Sequence, residues 1–185
     1  MEQHIFSVSE ANQLVQALLD AGVDKNVNKL GEGNALRIAI IHNRADLIPL
    51  LLDAGVNPFF KDARLTSYAI HEAVWNNRTQ CLKALIPLYK STVGLNIDSE
   101  KLGYPIVMAI KRGIIPCCKV LLDAGLDPND AIFLKEEPLL TLAVKRERKD
   151  LVQMLLQAGA DKNALDKEGK RAIDYAQGEI ADMLK

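Results

Sequence analysis

Apolar residues recur along this chain in one arrangement, a triplet at i, i+3 and i+4 that places three side chains on one helical stripe. The triplets are Val15/Leu18/Leu19, Ile48/Leu51/Leu52, Leu82/Leu85/Ile86, Cys118/Leu121/Leu122, Val152/Leu155/Leu156 and Ile180/Met183/Leu184. A second mark precedes most of them by nine positions. It is an alanine among apolar residues, Ala39, Ala73, Ala109, Ala143 and Ala176, in steps of 34, 36, 34 and 33 residues. A fixed period of this length predicts repeated units, each a helix, a short loop, a second helix and a long turn.

Four of the six stripes are followed by Gly22, Gly55, Gly125 or Gly159. A helix that ends in a left-handed residue favours glycine there, because glycine alone adopts that conformation without steric cost. Asp24-Lys25-Asn26, Asp127-Pro128-Asn129 and Asp161-Lys162-Asn163 come next, and their short polar side chains favour turns by bonding nearby backbone amides. Burying an aliphatic side chain is worth roughly 1.5 to 3 kcal/mol, so the stripe of one unit cannot offset the ordering entropy of a unit of about 33 residues. Neighbouring units must stack.

Two segments carry a resemblance to a known family. Asp166-Lys167-Glu168-Gly169-Lys170-Arg171-Ala172-Ile173-Asp174-Tyr175-Ala176 resembles the turn and first-helix signature of the ankyrin repeat family, and Leu155-Leu156-Gln157-Ala158-Gly159-Ala160-Asp161-Lys162-Asn163 resembles its second-helix exit. A tetratricopeptide array shares the period, but its Trp/Leu-Gly/Tyr pattern is absent. The resemblance covers nearly the whole chain and implies an all-α solenoid of stacked helix-turn-helix units with short hairpin-like turns, a single domain over 1–185. Its units are a degenerate first one at 1–28, four fuller ones at 29–61, 62–98, 99–132 and 133–165, and a short capping unit at 166–185, where Ile180 follows Ala176 by four positions instead of nine.

Departures from the family pattern are informative. The Thr-Pro-Leu-His helix start survives in part, with the histidine kept in Ala69-Ile70-His71 and the proline in Tyr104-Pro105-Ile106. Leu88-Tyr89-Lys90 stands where a glycine exit is expected, and the connection from Lys90 to Leu102 is rebuilt and longer, which marks it as a mobile or specificity-determining segment. Pro49 and Pro87 fall within or at the end of second helices, where a missing amide costs up to about 3 kcal/mol if interior.

Charge narrows the function. The 185 residues hold 23 Lys+Arg and 24 Asp+Glu, a formal net charge of −1, which argues against nucleic-acid binding by bulk charge. No apolar stretch approaches the 18 or so residues of a membrane span. The first ten residues lack a cationic segment followed by an apolar one, so no secretory signal is expected and a cytoplasmic location is. The three cysteines, Cys81, Cys117 and Cys118, form neither a disulfide framework nor a spaced zinc set and fit structural thiols in a reducing compartment.

Candidates for chemistry are few. Of the histidines His4, His42 and His71, His71 stands at the family's helix-start histidine, where the resemblance implies a ring bonded to turn backbone. His42 reads as a surface residue at the end of a first helix. No acid, base and nucleophile set recurs on one unit, and the Asp-x-Asn turns lack the glycine and bidentate acid of a calcium loop. Neither catalysis nor a cofactor is expected.

What remains is surface. The resemblance implies a concave face lined by the first helices, with the two residues after each Ala-x anchor pointing into it: Ile41/His42, Trp75/Asn76, Lys111/Arg112 and Lys145/Arg146. That row runs from apolar to doubly basic and holds the single tryptophan. It predicts a monomeric, non-enzymatic module that binds another protein, one presenting an acidic and partly apolar surface or peptide. Against this, acids such as Glu100, Glu136 and Glu137 are placed to neutralise the cations. The alternative is a structural or regulatory array that self-associates or masks a partner's site; the family also occurs in bacterial proteins that act on host proteins.

Overall fold

The structure, a computed structural model of the chain, describes residues 8–22, 34–59, 68–92, 104–130 and 137–185. These fall into two compact units, one ending at Ser91 and the other holding Thr92 and residues from 104 onward. The interval between them is the long step that lacks its glycine. The first unit contains α1 (Val8–Asp20), α2 (Ala35–Ile41), α3 (Leu47–Asp53), α4 (Ala69–Trp75) and all but the last residue of α5 (Thr79–Thr92). The second contains α6 (Pro105–Arg112), α7 (Ile115–Asp123), α8 (Leu139–Lys145), α9 (Lys149–Gln157), a 3-10 helix (Ala172–Tyr175) and α10 (Gly178–Leu184). Among the described residues, strand pairing is limited to one isolated bridge, Leu165 with Arg171.

Packing follows the period. In the first unit α2 lies against both α3 and α4, and α1 against α3; in the second α6 lies against α7 and α8, and α9 against α7, α8 and α10. Ala39, Ala73, Ala109 and Ala143 are buried, as are the first two members of each triplet on α3, α5, α7 and α9. The third member, Leu52, Ile86, Leu122 or Leu156, is half-buried on the flank. The first triplet departs from expectation, because Leu18 is 48% exposed, with Leu14 beside it at 50%.

The corner between the two helices of a unit explains why the alanine is the better anchor. Asn43, Asn77, Gly113 and Glu147 all adopt left-handed backbone there, with φ of 58°, 53°, 68° and 54°. The next residue then turns its N–H back onto the anchor carbonyl: Arg44 to Ala39 at 2.8 Å, Arg78 to Ala73 at 2.7 Å, Ile114 to Ala109 at 2.8 Å and Arg148 to Ala143 at 3.3 Å. Two of these arginines also fasten the preceding corner. Arg78 Nη2 donates to the Ile41 carbonyl at 2.8 Å, and Arg148 covers Gly113 so closely that a Cβ there would meet its Nη1 at 2.0 Å.

The helix exits behave as the sequence predicts where a glycine is present, with left-handed φ at Gly22, Gly55, Gly125 and Gly159. After them Asp127 and Asp161 accept from the N–H of Asn129 and Asn163, both at 2.8 Å. Asn129 also reaches the next unit, donating to the Gly159 carbonyl and accepting from the Asp161 N–H. Where glycine is missing, α5 runs on to Thr92 because Tyr89 is fully buried. Its hydroxyl donates to the Pro58 carbonyl at 3.1 Å and accepts from the Ile70 N–H at 3.4 Å, and burial pushes the phenol well above its ordinary pKa.

The prolines separate by position. Pro49 is the third residue of α3, so its missing N–H is one that no carbonyl of the helix would meet, and the expected cost does not arise. Pro87 lies inside α5. Asp24-Lys25-Asn26, residues 93–102 of the rebuilt connection and the unit starts at 29, 62, 99 and 133 lie outside the described residues.

Candidate functional site

Ile41 and Trp75 are the last residues of α2 and α4, and His42 and Asn76 cap those helices. His42 is exposed and Trp75 47% exposed. Ile41 is half-buried, its carbonyl taken by Arg78. Asn76 spends its amide on Glu72, donating to Oε1 at 2.8 Å and to the backbone carbonyl at 2.9 Å. Glu72 is itself buried and accepts from Arg37 Nε at 3.2 Å, so this acid is matched by a guanidinium and an amide, as a desolvated carboxylate requires. One residue was missed by the sequence. Ile38, one turn before Ile41, is 46% exposed, whereas its equivalents Glu72, Met108 and Leu142 are buried. Its identity is no signal, because an isoleucine within an apolar helix reads as core.

In the second unit Lys111 and Arg112 close α6, Lys145 closes α8 and Arg146 caps it. All four are exposed at least in part, at helix ends where positive charge opposes the axial dipole. They are not equivalent. Lys145 Nζ donates to Glu137 Oε1 at 2.8 Å and Asp166 Oδ2 at 3.2 Å, and stands 3.9 Å above the Tyr175 ring. Burial opposes the ammonium charge, but the hydrogen bonds to Glu137, Asp166 and Tyr175 outweigh it and raise the pKa. Among the described residues no acid pairs with Lys111 or Arg146. The neutralisation anticipated from Glu137 is therefore real at Lys145, while Glu100 and Glu136 lie outside the described residues.

Asp166 organises that end. The Tyr175 hydroxyl donates to its Oδ2 at 2.7 Å, and the N–H groups of Glu168 and Lys170 donate to its Oδ1 at 2.9 and 3.1 Å. Tyr175 first, then the two amides and Lys145, hold the carboxyl far below the usual carboxylate range.

The three cysteines are closed off from solvent. Cys81, Cys117 and Cys118 are buried, and burial pushes the Cys117 and Cys118 thiols up to about 11 and about 12, so none is a ready nucleophile. His71 is buried beside the Tyr68 ring at 5.6 Å; the turn it is expected to hold lies at 60–67, outside the described residues, as does His4. Among the described residues no group of three or more His, Cys, Asp or Glu is arranged to hold a metal ion, and no helix is long and apolar enough to cross a membrane.

Comparison with known proteins agrees with the fold. The family model for ankyrin repeats in three copies matches residues 4–101 and 106–185. The B-cell lymphoma 3 protein homolog of Mus musculus is 32% identical over 149 residues, 77% of this chain and 32% of that protein. The nuclear factor NF-kappa-B p105 subunit of Gallus gallus is 25% identical over 193 residues, 98% of this chain and 20% of that protein. The chain thus spans a third or less of the length of these relatives. The crystal structure of the ankyrin repeat domain of Bcl-3, a member of the IkappaB protein family, superposes with a TM-score of 0.56 at 19% identity, covering 96% of this chain and 93% of that one. With its 33- to 36-residue period, its glycine exits, its stacked helix pairs and a family model that spans nearly every residue, this chain belongs to the ankyrin repeat family.

Proposed function

We propose that this chain binds another protein through the exposed row at the ends of its first helices and performs no chemistry of its own. Ankyrin repeat domains generally mediate protein–protein interaction. The observation that supports the reading most is Trp75, a tryptophan 47% exposed on the helix next to the one that carries Ile38 and Ile41. Rigid aromatic side chains are enriched among interface hot spots. The partner is an acidic and partly apolar surface or peptide, with apolar side chains meeting Ile41 and Trp75 and acids meeting Lys111, Arg112 and Arg146. Lys145, already matched by two carboxylates, contributes less. The chain acts as a monomer in the cytoplasm, on a protein and not on a nucleic acid.

A pull-down with the intact chain, compared with one carrying Trp75→Ala, recovers the partner, and surface plasmon resonance at two salt concentrations tests the row. Trp75→Ala mainly speeds dissociation, while Lys111→Glu with Arg146→Glu slows association and removes its salt dependence. Unaltered kinetics in both variants would move the binding face elsewhere. A second reading, self-association, is favoured by one observation, the exposed Leu14 and Leu18 on α1. Light scattering that shows a concentration-dependent dimer, lost in Leu14→Ser with Leu18→Ser, would put it first.

A further inference from the structure

Four corners share one backbone geometry, and three of them hold residues suited to it. Asparagine tolerates left-handed backbone and glycine adopts it freely, so Asn43, Asn77 and Gly113 are at ease. Glu147 is not, at φ 54°. Its long side chain cannot make the short local bond by which asparagine settles into this conformation, and among the described residues no donor meets its exposed carboxylate. Glu147 lines an open cleft of about 610 Å³ between the end of α8 and the start of α10, together with Val144, Lys145, Tyr175, Gln177 and Ile180. That volume is within the range of small-ligand sites.

The charge of the cleft follows from its neighbours. The Lys145 ammonium is shared between Glu137 and Asp166, and Lys170, whose Nζ stands 5.3 Å from the Tyr175 ring centroid, is paired with Glu168 at 3.3 Å, so both cations beside the cleft are answered by carboxylates. Glu147 adds an unanswered negative charge at the rim. Ile180 is partly exposed and offers an apolar wall along which a methylene stem can lie, while the Tyr175 ring is already met by the Lys145 ammonium at 3.9 Å.

We propose that this cleft is a receptor for a basic side chain, a lysine presented by a partner protein, whose ammonium meets Glu147 while its stem lies along Ile180. The strained corner places the carboxylate at the rim, and the side chain is kept there for recognition at the expense of backbone comfort. This goes beyond the protein-binding reading above. It names a group of opposite charge to the acids proposed for Lys111, Arg112 and Arg146, and it can fail while that reading stands.

The test uses the full chain, ¹⁵N-labelled, titrated in an NMR tube with N-acetyl-lysine-N-methylamide and, separately, with the uncharged norleucine analogue. Saturable shifts confined to amides 144–147 and 175–180, with a millimolar dissociation constant for the lysine probe and none for norleucine, are expected. Glu147→Gln keeps the strain and removes the charge, and weakens the lysine response by about tenfold. Glu147→Asn removes both, abolishes the response and raises the melting temperature above that of Glu147→Gln. No saturable shift at these amides, an equal response to norleucine, or an unchanged response in Glu147→Gln would overturn the assignment.

Discussion

At the ends of their first helices the two units show opposite chemistry on the same backbone. In the first unit Ile38 and Trp75 are nearly half exposed, and the charges nearby, Arg37 and Glu72, are turned inward against each other. In the second unit the equivalent of Trp75 is Lys145, which turns to Glu137 and Asp166. The lesson is that repeat position decides where a side chain points, whereas its neighbours in the adjacent repeat decide whether it is available. Lys111 and Lys145 have the same place in the repeat and the same charge, and only the second is answered.

If the units differ at their surfaces and share one core, core substitutions should act alike in both. Leu121→Ala in the second unit and Leu85→Ala in the first remove fully buried side chains and should each cost about 2 to 5 kcal/mol, read from denaturant melts. Amide exchange should rise most in the helices beside each change, since repeats are held by nearest neighbours. A melt of Leu121→Ala that coincides with that of the wild type would break the comparison, because the stripe would then not be the core.

How much of this was legible in sequence follows from what a period can encode. The helices, the alanine anchors, the glycine exits and the Asp-x-Asn turns were readable because each is a local rule repeated every 33 to 36 residues. Tyr89 was legible only as a missing glycine. Its burial against Pro58 and Ile70 depends on residues 31 and 19 positions away. The cost expected at Pro49 vanished because Pro49 falls in the first turn of α3, a helix start that the apolar triplet does not mark. In the candidate row all eight residues are at least partly accessible, yet Ile38 was missed and the pairing of Asn76 and Lys145 was not foreseen as specific bonds. Exposure is a matter of phase, whereas pairing depends on partners in other turns.

A smaller effect separates the units by pH. The Asp166 carboxyl is held well below its ordinary range by Tyr175, two backbone amides and Lys145. A depressed carboxylate contributes stability above its unfolded pKa and loses it as pH falls through the folded one. In the first unit Asp46 is also lowered, by its hydrogen bond to Arg44, but that pair is partly exposed and screened. The second unit should therefore lose more of its stability between about pH 5 and pH 2, and Asp166→Asn should flatten that slope. Trp75 fluorescence reports the first unit separately. An unchanged slope in Asp166→Asn would assign the acid sensitivity to other carboxylates.

The smallest expected effect tests the comparison most directly, because it sets one lysine against its counterpart 34 residues on. Lys111→Ala removes a side chain with no acid beside it among the described residues and should leave stability within about 0.5 kcal/mol of wild type. Lys145→Ala takes a shared ammonium from Glu137 and Asp166, and a partly exposed pair of this kind is worth about 0.2 to 1 kcal/mol. The second variant also has a readout that packing alone would not move. With the ammonium gone, the Asp166 carboxyl should titrate at higher pH, followed by its side-chain carbon resonance, because one of the groups that depress it has been removed. Lys111→Ala should leave that titration where it is. If both variants match wild type in stability and in the Asp166 titration, the Lys145 pairing is not maintained in solution. Its charge would then rejoin Lys111 and Arg146 as a third cation with no acid beside it among the described residues, and the helix ends of the second unit would be more basic than the Lys145 pairing leaves them.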